Sequence, residues 1–322
     1  MYIIMTDTSA NLEPADLKKW EIEDLPLTYM VDGKSPLDSG DAAFDGPAFY
    51  AAMRGGAKVV TSQVTPQTYI DAMTPFLKEG KDVLFIGMSS GISGSYNSAQ
   101  IAANQLREEF PACKIYTIDT LSASLGEGLL VMRAVDALRV ALEQGLDLQH
   151  GPDGGERRLV LVVKAAENRR SGMSIEENAA EIDKLRHNMC QVFTVDDLKY
   201  LRGTGRLSSI KAAVASVLNI KPLLKGDTEG KIVCFEKTRG RKNAIKALAQ
   251  QYDEMVREPY NQCIGIAHAD CTEDAEQLIE LLNRNNPPHE IMLVCYEPVT
   301  GSHVGPGTLA LFFLGSDEFR SR

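Results

Sequence analysis

The sequence predicts an α/β protein of two domains: an N-terminal domain on a mostly parallel sheet covered by helices, and a C-terminal α+β domain with a mixed or antiparallel sheet. Three observations lead there. Through residue 142, apolar strand-like runs alternate with amphipathic helix-like segments, the pattern of a parallel sheet with both faces covered. The early runs end in small polar residues, at Thr6–Ser9, Thr61-Ser62, Ser89–Ser95 and Asp119–Ser122. In such sheets the ligand crevice lies outside the carboxyl ends of the strands. From Cys190 the texture changes, and Ile220–Leu224 and Ile232–Lys237 flank a turn at Gly230 like an antiparallel pair. The boundary is therefore placed between 1–188 and 189–322.

In chain order, Tyr2–Met5 read as a strand, followed by a short helix over Leu12–Lys19 with Asn11 as N-cap. Leu25–Val31 read as a second strand, and Phe44, Phe49, Tyr50 and Met53 as a helical stripe ending at Gly55-Gly56. Val59–Gln63 form another strand end, and Thr65-Pro66 open a helix to Leu77 with Pro at its first position. Asp82–Ile86 and Lys114–Ile118 are strands, and Leu129–Leu142 a long amphipathic helix. Residues 149–172 break the pattern and look like an insertion: a Gly/Pro-rich turn, an apolar run at Leu159–Val163 that fits either a strand or a helix extension, and a basic tail. Met173–Asn188 return to helix. The second half gives strands at Gln191–Val195, Cys263–His268, Ile291–Tyr296 and Leu309–Phe313, and helices at Asp196–Leu201, Ile210–Leu218, Lys242–Val256 and Glu273–Asn283.

The stretch DVLFIGMSSGISGSYNSAQIAANQL, residues 82–106, organises the chain. Strand and helix, the latter read over Asn97–Leu106, are joined by a loop of Gly and Ser without Lys or Arg. Glycines let the backbone approach a ligand, serines supply hydroxyl donors, and the helix N-terminus adds free N–H groups. The loop suits a singly charged anion such as a carboxylate. A plain βα turn is the alternative reading of the same residues.

Composition narrows the function. At 322 residues and 44% hydrophobic, the chain can bury full cores, and its net charge of −10 argues against a nucleic-acid or anionic-membrane surface. No run of 18 apolar residues predicts a transmembrane segment. The N-terminus runs straight from an apolar strand into an acidic loop, without a basic leader, so a cytoplasmic location is expected. The six cysteines form no CxxC pair and the five histidines are scattered, which favours buried thiols over a metal or redox site. No metal and no cofactor are expected.

Gly87-Met88-Ser89-Ser90-Gly91 fits G-x-S-x-G, with Asp119 and His268 at later strand ends. This raises a serine hydrolase of acyl esters using Ser89. Against it, a nucleophile elbow passes directly into a helix, whereas here the loop continues through Ser93-Gly94. Gly203-Thr-Gly-Arg206 follows a helix and lacks the lysine of a phosphate-binding loop. His303 sits in a small-residue turn before Gly305-Pro306-Gly307, where an imidazole can offer a donor to a ligand.

Taken together, several stretches resemble the DegV family of bacterial fatty-acid-binding proteins. They are Ile4–Leu12, Thr61-Ser-Gln63, Ser89–Tyr96, Ile118-Asp-Thr120, Val195–Leu201 with Gly205-Arg-Leu-Ser208, Leu218–Pro222, Arg239-Gly240 and His303–Gly307. They occur in the family's order over nearly the whole chain. The resemblance implies two domains with a long-chain fatty acid bound between them, and no catalysis by this chain. Some members present the acyl group to a separate ATP-dependent fatty acid kinase subunit. Carboxylate binding then carries over to Thr61, Ser93 and His303, with Ser62, Gly94 and Ser95 beside them, and partner engagement to Arg206 and Arg239. Ser95 and Asn97 stand where the family usually has Thr and Gln, and Thr120 where it has Ser. A sensory module for another small acid is the remaining alternative.

Overall fold

The computed structural model describes residues 2–41, 43–139, 174–207 and 219–322. The stretch 149–172 and the expected helix over Ile210–Leu218 lie outside the described residues. The first half runs β1 (Tyr2–Asp7), α1 (Pro14–Lys19), β2 (Ile22–Leu25), β3 (Thr28–Val31), β4 (Leu37–Asp38), α2 (Gly46–Arg54), β5 (Val59–Ser62), α3 (Pro66–Lys78), β6 (Asp82–Gly87), α4 (Ser95–Glu109), β7 (Ile115–Asp119), α5 (Leu125–Arg139) and α6 (Ile175–Leu185). The second continues with β8 (Met189–Thr194), α7 (Lys199–Gly203), β9 (Ile220–Gly226), β10 (Ile232–Arg239), α8 (Arg241–Met255), β11 (Cys263–His268), α9 (Thr272–Asn285), β12 (Glu290–Cys295), α10 (Pro298–Val304), β13 (Leu309–Leu314) and α11 (Glu318–Ser321).

Strands β2-β1-β6-β7 form a parallel sheet in that order. The run Val83–Gly87 of β6 is buried throughout, as a strand covered on both faces must be. Helices α3 and α4 cover one face, and α5 and α6 the other. The small face of α4, Ala99, Ala102 and Ala103, is fully buried against its neighbours. The second half forms a six-stranded mixed sheet in the order β10-β9-β8-β13-β11-β12, antiparallel except for β11 and β12. Helices α8 and α9 cover its outer face. Its inner face meets α5, which therefore lies between the two large sheets. One apolar core consequently joins Ile4, Leu84 and Ile86, Leu130 and Ala134 of α5, and Phe193 and Phe312.

The structure corrects several expectations. The expected strand Leu25–Val31 is split: Leu25 closes β2, Pro26 lacks the N–H a ladder needs, and β3 starts at Thr28. β3 turns away to make a small antiparallel sheet with β4 and β5. Thr61-Ser62 thus ends a strand of this side sheet, not of the parallel one. Residues Val59–Ser62 alternate between half-buried and exposed, which suits an edge and not a strand enclosed on both faces. Asn11 does not cap α1. Glu13 holds that position, while Asn11 takes a left-handed φ of 56°. Helix α5 starts at Leu125, four residues before the expected Leu129, since the glycines of Leu-Gly-Glu-Gly imitate a loop in sequence.

Candidate ligand cavity

A cavity of about 460 Å³ opens where the side sheet, the Ser89–Gly94 loop and the second half meet. That volume falls in the usual range of small-molecule sites, ~300–1,000 Å³. Its polar wall carries Thr61, Ser62, Gln63, Ser93, Gly94, Arg206 and His303. Most of the remainder is apolar, with Leu27, Met88, Phe193, Leu201, Ile232 and Phe312. The polar residues form one connected cluster. Thr61 Oγ1 and His303 Nε2 are 3.0 Å apart, Arg206 Nε donates to the Ile92 carbonyl at 3.3 Å, and Gly94 packs directly on the Gln63 side chain. A shallower depression of about 300 Å³ on the surface shares Ile92, Ser93, Gly94 and Arg206 with the cavity.

Each arm of the cluster is held from behind. In the loop, Ser93 N–H donates to the Ser89 carbonyl at 3.1 Å. Ser89 Oγ donates to the Gly230 carbonyl at 3.0 Å and accepts from Gly91 N–H at 3.1 Å. The β9–β10 turn presses so close that a Cβ at Gly91 would stand 2.6 Å from the Glu229 carbonyl oxygen. Ser93 Oγ accepts from Ser95 N–H at 3.2 Å. His303 lies in the last turn of α10, not in an open turn as expected. Glu297 caps that helix, accepting from Val299 and Thr300 N–H, each at 2.5 Å. Gly301 abuts the Tyr50 hydroxyl, which donates to the Tyr296 carbonyl at 2.8 Å. Asn11 accepts from Glu297 N–H at 3.2 Å and donates to the Cys295 carbonyl at 3.1 Å. These contacts bring a helix from the C-terminal half onto α2 and β3, so that His303 reaches Thr61.

Burial, and next the Arg206 charge, push His303 down to about 4 from its ordinary 6.5. The imidazole is neutral at pH 7, and its Nδ1 is buried without a partner among the described residues. A neutral ring offers one N–H and one lone pair. With Nε2 as the donor, its N–H points at Thr61 Oγ1 and leaves the Thr61 hydroxyl proton free to donate, while the Ser93 hydroxyl, which donates to Ser95 Oγ at 3.2 Å, can be turned to a ligand by rotation about one bond. Arg206 adds positive charge, and among the described residues the wall carries no carboxylate. This arrangement can hold an anion.

The structure gathers Thr61, Ser62, Ser93, Gly94, Arg206 and His303 on the cavity. Ser95 is buried behind Ser93 and does not line it. Arg206 is half-buried and lines both the cavity and the outer depression, its guanidinium held by the Ile92 and Thr204 carbonyls. Arg239 is exposed at the far end of β10, seven residues beyond Ile232, or roughly 23 Å along the strand. Ser89, Asp119 and His268 are not arranged as a relay. Ser89 donates to a backbone carbonyl, Asp119 accepts from Ser90 Oγ at 2.5 Å, and His268 Nδ1 accepts from Cys271 N–H at 3.4 Å. Sequence reasoning missed the apolar wall. Phe193 and Phe312 look like any core residue in sequence, and only the fold shows which of them face a void. Among the described residues, no group of three or more His, Cys, Asp or Glu is placed to hold a metal ion, and no helix is long and apolar enough to cross a membrane.

A family model described as "Uncharacterised protein, DegV family" matches residues 1–148 and 157–316. A DegV domain-containing protein of Clostridium perfringens is 35% identical over 98% of both chains. Among solved structures, a fatty acid binding DegV family protein from Streptococcus agalactiae is 26% identical, with a TM-score of 0.77 over 98% of this chain and 99% of its own. DegV of Bacillus subtilis, a fatty acid binding protein, is 26% identical with a TM-score of 0.73 over the same shares.

Proposed function

This chain belongs to the DegV family, and on that premise we propose that it binds a long-chain fatty acid and presents the acyl carboxylate to an ATP-dependent kinase partner without itself doing chemistry. The observation that carries the reading is the division of one cavity into a donor-rich, positively charged wall and an apolar remainder. The carboxylate accepts from the Thr61 and Ser93 hydroxyls and from His303 Nε2–H, while Ser62 and Gly94 shape the approach. Hydrogen bonds to a charged acceptor are short and about twice as strong as neutral ones. Most of the affinity comes from the tail. At about 0.8 kcal/mol per buried CH₂, a chain of ~15 methylenes has ~12 kcal/mol of gross transfer energy, offset in part by ordering and association. The two similar DegV proteins described as fatty acid binding support the same ligand class. Two domains divided near residue 188, a cytoplasmic location and partner engagement through Arg206 and Arg239 belong to this reading. Because Arg206 lines the cavity, its share in engagement runs through the head group, and Arg239 supplies the more distant contact.

The test is mass spectrometry of lipid released by denaturing the purified protein, followed by titration of the delipidated protein with the fatty acid and with the alcohol of equal length. The acid should bind the more tightly. Equal affinity for acid and alcohol would remove the carboxylate site. Failure of the acid to bind would remove the reading altogether.

A further inference from the structure

The proposed fatty acid leaves its carboxylate at Thr61, Ser93 and His303 and sends its tail into the apolar part of the cavity. Gln191 of β8 is a polar side chain standing in that part. It is buried, 5% exposed, and lines the cavity. Strand alternation explains its direction. Cys190 and Val192 pack beneath α8 and α9, while Met189 and Phe193 face the core shared with α5, so Gln191 points the latter way. Its cross-strand partner is Phe312. Its Oε1 accepts from Ala123 N–H at 3.4 Å. Its Nε2 presses on Gly226, where an added Cβ would stand 2.5 Å away and only 3.1 Å from Arg320 Nη1. These neighbours lie outside the polar cluster around His303.

Arg320 lies beside this position at Gly226. The residue is 4% exposed. It donates to the carbonyls of Leu121 and Met189 at 2.9 Å, to that of Asp227 at 3.2 Å, and to Ser122 Oγ at 2.9 Å. A methyl terminus pushed past Gln191 would have to displace hydrogen bonds of a buried cation, which nothing apolar can replace. We infer that Gln191, backed by the Arg320 guanidinium, is the stop that sets the longest acyl chain this cavity accepts. The inference rests on the fatty-acid reading.

The experiment is competition of saturated acids, from 12 to 22 carbons, against a fluorescent fatty acid on wild type, Gln191→Ala and Gln191→Phe, with melting curves to verify folding. Wild-type affinity should rise about fourfold per carbon up to a limit and then fall. The limit should move about two carbons longer in Gln191→Ala, where side-chain volume is lost, and shorter in Gln191→Phe. A shift in the stated direction by either folded variant supports the stop, so one misfolded variant leaves the other decisive. An unchanged limit in the folded variants overturns the stop while the fatty-acid reading stands. If wild type binds no acid of any length, both are overturned.

Discussion

At the scale of single residues, the proposed head-group site draws its donors from three separate parts of the chain, and each should be separable by substitution. Removing one hydrogen bond to a charged group costs about 1.5–3 kcal/mol, or ~10–150-fold in affinity. Thr61→Val, Ser93→Ala and His303→Ala should each weaken acid binding by that factor, and binding of the equal-length alcohol by less, as read by titration. If the proposed kinase partner takes the acyl group, phosphoryl transfer should fall further than binding, since orientation is lost as well. The depressed His303 titration gives a second check. Its folded value of about 4 lies below the ordinary 6.5, so its neutral form adds stability above pH 6.5 that is lost as pH falls toward 4. His303→Gln should lose less stability than wild type over that window in urea titrations. The hydroxyls and the imidazole were legible in sequence because small polar residues at strand ends stand out from apolar surroundings. The placement of Arg206 on the cavity rim was not, because the two backbone carbonyls that hold it, Ile92 and Thr204, leave no trace in residue type.

At the scale of elements, α10 matters most, for its position fixes His303. Seven residues cannot hold a helix by propensity alone. The Glu297 cap and the seat of Gly301 on Tyr50 do it. Gly301→Ala would drive a methyl group into the Tyr50 hydroxyl, an overpacking that costs about 1–3 kcal/mol. The urea midpoint should drop accordingly, and acid affinity with it. Adding Tyr50→Phe, which removes the hydroxyl, should restore part of both. The sequence pointed to a turn at Thr300–Gly307 because Gly, Ser and Pro cluster there. It could not show that the same glycine is the thin place where a tyrosine fits. The long alternating segments were readable for the opposite reason. In α4 and β6 the local pattern and the tertiary environment demand the same thing, whereas β2 and β4 are too short to carry a period.

At the scale of the whole molecule, a second buried network lies close to the core. Glu127 of α5 accepts from Thr6 Oγ1 at 3.0 Å and Ser9 Oγ at 2.7 Å, and Ser9 N–H also donates to Asp7 at 3.0 Å. Burial raises Asp7 to about 6 and Glu297 to about 7, and holds Glu127 well above the ordinary carboxylate range. An acid whose folded value is raised adds stability at low pH that disappears as pH climbs through that value. For Asp7 the window runs from about pH 4 to about pH 6, and the change is up to ~3 kcal/mol at ~1.4 kcal/mol per unit. Asp7→Asn should therefore gain on wild type as pH rises across that range, measured by urea midpoints at each pH. The parallel sheet and the mixed sheet were both foreseen, but not the helix shared between them. Periodicity tells that α5 has apolar residues, and Leu125, Leu130 and Val131 are fully buried. It does not tell that opposite flanks of the helix serve opposite sheets.

The sharing of α5 bears on how a ligand comes and goes. Two lobes clamped on one helix cannot swing apart as a hinge without tearing a common interior. On the fatty-acid reading, the ligand would instead enter with the lobes together, tail leading, its carboxylate arriving last beside the outer depression at Ser93 and Arg206. Release is then the slow event. Residence time should lengthen about fourfold with each added methylene while the rate of capture stays nearly constant. Stopped-flow displacement across a chain-length series would record it, and would locate the protein's selectivity in how long it retains a lipid.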